Sequence, residues 1–169
     1  MSSHTVIVIR HGKDTPDEHK YDERLSNSGK EDIRILTEKL IEEYGIPEII
    51  YYSPFHRTRQ TTKIILKEIK SNHNIKVKSE CDWRLSRYFT EKQRKNPDIR
   101  KDTRSKGAPL NETWSEFKKR VLKQLEDMES SEEKVIWCIT HTLVLSCIIK
   151  KKNIEHPYNI PYLDTIVIN

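Results

Sequence analysis

Arg10, His11 and Gly12 follow directly on Val6-Ile7-Val8-Ile9. An imidazole is largely uncharged near neutral pH and is then a nucleophile. A guanidinium keeps its charge and presents a planar fork of donors matched to phosphate. Gly12 has no Cβ, so the chain can turn there or pass close to a ligand. Two further segments offer similar groups. Arg57 stands in or just before the first turn of a predicted helix, where unpaired N–H groups and the helix dipole favour an anion. His141 lies in Thr140-His141-Thr142, immediately after an apolar run. Taken singly, each has a duller explanation, such as a turn histidine or an exposed helix-start arginine. Two histidines and two arginines around one hollow would suit a phosphoryl group. They suit a metal ion poorly, because no third ligand has convincing spacing and the arginines would repel a cation. Neither a metal nor a cofactor is expected.

These groups meet only if the intervening elements bring them together. Residues 5–9 read as a strand covered on both faces, since consecutive β-branched residues favour extended backbone. Residues 13–27 contain Pro16 and no apolar period, which predicts a loop; Lys13 either adds charge to the corner or is simply solvated. A helix begins at Ser28, with Ile33, Leu36, Leu40, Ile41 and Tyr44 on one stripe and Gly45 and Pro47 closing it. Residues 48–52 form a second strand, stopped by Ser53-Pro54. Phe55-His56-Arg57 opens a helix that turns Ile64, Ile65 and Ile69 inward. Ile75-Lys76-Val77-Lys78 alternates and predicts an edge strand.

The segment 92–106 carries Lys92, Arg94, Lys95, Arg100, Lys101, Arg104 and Lys106, either a solvated face or a lid that draws in an acidic substrate. Asn111, or Thr113 with Glu116, caps a helix with the stripe Trp114, Phe117, Val121, Leu125 and Met128. Residues 134–140 are a third long strand, 143–149 an apolar helix and 165–168 a last strand. This order predicts a three-layer α/β/α sandwich with a mostly parallel central sheet. Ligands of such sheets bind beyond the carboxyl ends of the strands, where Arg10, His11, Arg57 and His141 all leave.

Composition sets the class. The 169 residues suit one domain spanning 1–169, with no internal repeat or visible break. Charged residues make up 34% and the net charge is +5, which fits an anionic partner. A nucleic acid is not the expected one, because the basic 92–106 run lacks the interleaved aromatics of a single-strand platform. Cys81, Cys138 and Cys147 are an odd set without paired spacing, which argues for a reducing compartment. Without a signal-like start or a membrane-length apolar run, a soluble cytoplasmic protein with no membrane partner is expected.

Set in order, the motifs resemble the histidine phosphatase superfamily, the phosphoglycerate-mutase-like family. They are Arg10-His11-Gly12; Arg24-Leu25-Ser26 with Gly29; Ser53-Pro54-Phe55 with Arg57 and Gln60-Thr61; Asn111-Glu112-Thr113 with Phe117 and Arg120-Val121; and Thr140-His141. The resemblance implies a phosphoglycerate-mutase-like fold and a metal-independent phosphatase. It implies that His11 is the catalytic nucleophile, transiently phosphorylated, and that Arg10, Arg57 and His141 bind the phosphoryl oxygens. The partner implied is a phosphorylated substrate, either a small molecule or a protein.

One position departs from the family. Many members carry a glutamate shortly after an Arg-Leu pair, where it protonates the leaving oxygen. Arg84-Leu85-Ser86-Arg87 puts an arginine at about that place. Asp82, Glu91 and Glu112 are candidate acids, and the absence of any acid is the fourth possibility. A poor leaving group needs a proton donor, whereas the nitrogen of a phosphohistidine needs less help. Length, the stretch 22–26 and Ser53-Pro54-Phe55 are similar to small bacterial protein-phosphohistidine phosphatases, while 111–121 resembles the mutase and sugar-phosphatase branches. The expected reaction is hydrolysis of a phosphomonoester or a phosphohistidine; the alternatives are a catalytically weak phosphate-binding module or a mutase.

Overall fold

The structure is a computed structural model and describes residues 4–15 and 24–169. Its strands are β1 (Thr5–Arg10), β2 (Ile49–Tyr52), β3 (Lys78–Cys81), β4 (Val135–Thr140) and β5 (Thr165–Ile168). They form one five-stranded sheet in the order β3-β2-β4-β1-β5. Only β5 runs antiparallel, against β1. The late strand β4 therefore wedges between β1 and β2, which do not pair with each other.

Alternation along the strands separates two cores. Val6, Val8, Ile49, Ile136 and Cys138 point to one face, and Ile7, Ile9, Ile50, Trp137 and Ile139 to the other. The first face is covered by α5 (Trp114–Glu129) and α6 (Thr142–Lys152) through Phe117, Val121, Leu125, Leu145 and Ile148. The second is covered by α1 (Asn27–Tyr44) and α2 (His56–His73) through Ile33, Leu40, Ile65 and Ile69. Each of these isoleucines is buried, which stabilises the fold by roughly 1.5–3 kcal/mol per side chain. The result is the three-layer α/β/α sandwich expected from the element order.

Local signals explain most boundaries. Ser26 caps α1 by accepting a hydrogen bond from Gly29 N at 3.0 Å, so the helix begins one residue before Ser28. Thr113 rather than Asn111 caps α5, in a reciprocal box with Glu116. The edge strand falls at Lys78–Cys81, not at 75–78. Its register against β2 decides this, Ile49 opposite Lys78 and Tyr52 opposite Cys81, and overrides the alternation of Ile75 and Val77.

The basic segment is also more regular than expected. It folds as α3 (Glu91–Arg94), capped by Thr90 and Gln93, and α4 (Pro97–Ser105), capped by Asn96 with Pro97 in its first turn. Ile99 of α4 joins Phe55, Phe89 and Leu110 in a small separate core. Part of the expected 13–27 loop, residues 16–23, lies outside the described residues. Among those described, no helix is long and apolar enough to cross a membrane. Cys81 is exposed, and Cys138 and Cys147 are buried as free thiols.

Candidate active site

Because β1, β4 and β2 lie side by side and parallel, their carboxyl ends deliver His11, His141 and Ser53 next to one another. Arg10 is in register with Thr140, and Tyr52 with Ile139. Backbone bonds extend the match one residue past each strand: His11 N donates to Thr140 O at 3.0 Å and Ser53 N to Ile139 O at 3.2 Å.

The helices close on this corner through two glycines. A Cβ on Gly12 would lie 2.7 Å from Ile33 Cδ1, and one on Gly29 would lie 2.4 Å from the backbone oxygen of Lys13. The second contact is with main chain that cannot give way, so only glycine lets the start of α1 sit this close to the His11 corner. From the other side, Gly12 N donates to Thr61 Oγ1 of α2 at 3.0 Å, and Thr61 Oγ1 donates to the Arg57 carbonyl at 2.7 Å. One short path thus joins the His11 corner to the turn that carries Arg57.

The corner encloses a cavity of about 230 Å³ lined by Arg10, His11, Asp14, Arg57, Arg87, Tyr88 and His141, together with Thr142 and Leu143. His11 and His141 are both buried, with their ring centroids 5.5 Å apart. His11 Nδ1 lies 2.8 Å from the Gly12 carbonyl. A carbonyl only accepts, so Nδ1 carries the proton and the Nε2 lone pair is left available. Burial, and then the nearby Arg57, push the His11 pKa down from 6.5 to about 3, against the opposing pull of the Gly12 hydrogen bond and Asp14. At neutral pH this imidazole is uncharged and nucleophilic.

His141 sits differently. Its Nε2 is 2.6 Å from Ser53 Oγ, and its ring packs edge-on against Phe55 at 5.4 Å. Its Nδ1 is buried without a hydrogen-bond partner. Burial, then Arg57, His11, Arg87 and Arg120, hold its pKa well below the usual histidine range.

The arginines are held from behind. Arg10 donates to the Ile160 carbonyl at 2.6 Å, and its guanidinium carbon lies 4.1 Å over the Tyr162 ring. Arg57 donates to Asp14 Oδ2 at 3.2 Å, and the Tyr162 hydroxyl donates to Asp14 Oδ1 at 2.7 Å. Asp14 therefore ties both arginines together through Tyr162. The Nε atoms of Arg10 and Arg57 are buried without partners. Two guanidiniums lining one cavity with a buried neutral imidazole make a site that fits a tetrahedral oxyanion.

The four site residues expected from sequence, Arg10, His11, Arg57 and His141, are thus brought to one hollow. The expected acids are not. Asp82 caps the 3-10 turn at Trp83–Leu85 and pairs with Arg84 at 2.9 Å. Glu91 is exposed and pairs with Lys95 at 2.9 Å. Glu112 is buried, but it accepts two bonds from Arg120, at 2.8 and 2.5 Å. Arg120 in turn donates to the carbonyls of Arg84 at 2.6 Å and Arg87 at 3.3 Å. Glu112 is a strut that, through Arg120, fixes the segment bearing Arg87, and it does not line the cavity. Lys13 is exposed and does not line the cavity.

Among the described residues, Asp14 is the one carboxylate lining the cavity. Its signal was an acid three residues after His11, within a stretch that otherwise reads as a polar loop. Ser53 could be found as the residue directly after β2. Tyr162 carried no local signal, because its partners Asp14 and Arg10 lie at the other end of the chain.

Comparison with solved structures bears on the fold. The chain is similar to the ecdysone phosphate phosphatase of Bombix mori in complex with tungstate, with a TM-score of 0.69, 16% identity and coverage of 98% of this chain and 89% of that one. It is similar to phosphoglycerate mutase from Bacillus anthracis str. Sterne, with a TM-score of 0.68, 19% identity and coverage of 99% and 89%. It is also similar to the protein histidine phosphatase SixA complexed with tungstate, with a TM-score of 0.66, 16% identity and coverage of 94% and 83%. No curated protein matches the chain significantly in sequence. The fold is thus phosphoglycerate-mutase-like, and since residues 6–164 match the histidine phosphatase superfamily (branch 1), the chain belongs to that superfamily.

Proposed function

We propose that the protein is a phosphatase in which His11 takes a phosphoryl group from a phosphorylated small molecule or protein and passes it to water. The substrate bond is that of a phosphomonoester or a phosphohistidine. The observation that carries this reading is the 2.8 Å bond from His11 Nδ1 to the Gly12 carbonyl, which leaves Nε2 with its lone pair on a residue lining the cavity. Membership of the superfamily and the phosphatases among the structural neighbours support it.

The chemistry follows from the residue types. Nε2 bonds to phosphorus as the leaving group departs in line on the far side. Arg10 and Arg57 neutralise the equatorial oxygens, which is most of what phosphoryl transfer demands of a protein. His141, beside a dianion, is drawn toward its protonated form and adds a donor. Water then attacks the phosphorus and Nε2 recovers its electron pair. The permanent guanidinium charges stand where a metal would otherwise act, so the reaction is metal-independent.

The test is rapid quenching during turnover of 4-nitrophenyl phosphate, whose good leaving group needs no acid. The expected result is acid-labile, base-stable phosphate on His11, with label and turnover both lost on His11→Ala and both retained in EDTA. No turnover by the intact protein, or turnover that survives His11→Ala, overturns the reading. The first outcome would point to a catalytically weak phosphate-binding module.

A further inference from the structure

We propose that the groove between α5 and α6 docks an acidic amphipathic helix of a phosphorylated protein, which makes a protein, rather than a small molecule, the substrate class. The inference rests on the phosphatase reading for the chemistry at His11 and adds what is recognised beside it. The groove is a cavity of about 300 Å³. Its apolar lining is Trp114, Leu122 and Cys147, and its charged lining is Lys118, Lys150 and Lys151. Cys147 is buried and Leu122 half-buried, whereas the lysines are exposed, so an apolar floor lies under a cationic rim. Lys123 and Lys152, close by in sequence, are paired with Asp127 and Glu129. Among the described residues, Lys118, Lys150 and Lys151 have no acidic partner. Three like charges around one apolar hollow repel each other, and an acidic partner relieves that repulsion.

The groove starts at the His11 cavity. Leu143 lines that cavity and begins the row Leu143, Cys147, Lys151 on α6. Tyr88 also lines it, and the Tyr88 ring packs edge-on against Trp114 at 5.1 Å. Trp114 begins the matching row Trp114, Lys118, Leu122 on α5. Each row advances four residues at a time over eight, a rise of about 12 Å. Trp114 and Leu143 are both exposed, so apolar surface is continuous from the cavity into the groove.

This shape selects the occupant. Rows four residues apart on two helices form the ridges between which a third helix packs. Two apolar side chains at i and i+4 of that helix stand about 6 Å apart and fit a groove of about 12 Å. Acidic residues on its flanks then meet Lys118 on one side and Lys150 and Lys151 on the other. A bilayer surface fits worse, because the apolar floor is recessed beneath the lysines and a flat surface does not reach it. A small phosphate ester has no apolar body long enough to leave the cavity and fill the groove.

The probe is a synthetic, alanine-based helical peptide of about 15 residues, with leucines at i and i+4 and glutamates on both sides of them. Fluorescence anisotropy follows binding of its unphosphorylated form. The phosphoserine and phosphohistidine forms, phosphorylated one turn beyond the leucines, are compared with 4-nitrophenyl phosphate in kcat/KM. The triple variant Lys118→Glu/Lys150→Glu/Lys151→Glu is expected to weaken peptide binding about 10-fold or more. It should lower kcat/KM on the phosphopeptides about 10-fold more than on 4-nitrophenyl phosphate. Replacing both leucines of the peptide by serine should cost a similar factor in the intact protein, a result independent of how the variant folds. The inference is overturned if the intact protein does not bind the peptide, or binds a scrambled peptide of the same composition equally well. It is also overturned by binding to phosphatidylserine vesicles without binding to the peptide, by equal losses on all substrates, or by glycerol phosphate turned over as well as the phosphopeptides. Peptide binding does not involve His11, so its failure leaves the phosphatase reading standing. A His11 that never carries phosphate defeats that reading and leaves the docking measurable.

Discussion

Ser53 Oγ lies 2.6 Å from His141 Nε2, a contact between residues 88 apart in the chain. It exists because β4 inserts beside β2, so the residues that follow the two strands become neighbours. The contact fixes the orientation of the His141 ring and leaves Nδ1 as its unpartnered nitrogen. Ser53 is itself held, since Thr58 Oγ1 donates to the Ser53 carbonyl at 2.7 Å.

Removing the hydroxyl should release the ring without disturbing the fold. Ser53→Ala is expected to lower kcat/KM for 4-nitrophenyl phosphate about 10-fold, the scale of one buried hydrogen bond. The melting temperature should move little by comparison. Unchanged kinetics would mean that Phe55 alone orients His141.

Arg57 and Asp14 form a buried ion pair at 3.2 Å, with side-chain exposures of 10% and 9%. Arg57→Ala should cost roughly 10²–10³ in rate, as for other donors to a transferring anion. Part of that loss comes from the carboxylate left without its cation beside the substrate. The double variant Arg57→Ala/Asp14→Asn should therefore be about 10-fold faster than Arg57→Ala alone, a coupling that a double-mutant cycle measures. Strict additivity would show that Asp14 does not act through Arg57.

Two buried neutral histidines make stability depend on pH with a definite sign. The unfolded chain protonates His11 near pH 6.5, and the folded chain only near 3. Between these values the unfolded state binds more protons, so stability falls as pH falls. At pH 5, about 1.5 units below the unfolded value, His11 costs about 2 kcal/mol. His141 is shifted in the same direction and adds to the loss. Well above pH 6.5 both are neutral in either state and contribute nothing. Urea unfolding at pH 7 and pH 5 should show this drop, and His11→Asn should reduce it. A curve that is flat over that interval would contradict the burial of neutral imidazoles.

Glu112 and Arg120 are nearly inaccessible, with side-chain exposures of 9% and 6%. Removing either alone strands a buried charge, so Arg120→Ala should destabilise by about 3 kcal/mol or more in denaturant titrations. Replacing both, as Glu112→Leu/Arg120→Met, should be milder in stability. It should still impair turnover, because the carbonyls of Arg84 and Arg87 lose their anchor. A double variant as active as the intact protein would show that the segment needs no such support.

Sequence alone determined the parts that depend on neighbours along the chain. Val6 to Ile9 had to be a buried strand, the stripe from Ile33 to Tyr44 a helix, and Gly45 with Pro47 its end, because periodicity and turn chemistry act over a few residues. The order of strands and helices carried the sandwich, and with it the strand ends at which Arg10, His11, Arg57 and His141 leave. The tertiary structure decided what depends on pairing between distant segments. Lys78–Cys81 became the edge strand because a ladder against β2 chose it over local alternation. Glu112 turned from a candidate acid into a strut because Arg120 lies across from it. Asp14 entered the site only when Tyr162 and Arg57 closed on it from remote positions. Local propensity is written in adjacent side chains, whereas the charge and hydrogen-bond partners of a buried group are set by whatever the packed chain places within about 3 Å of it.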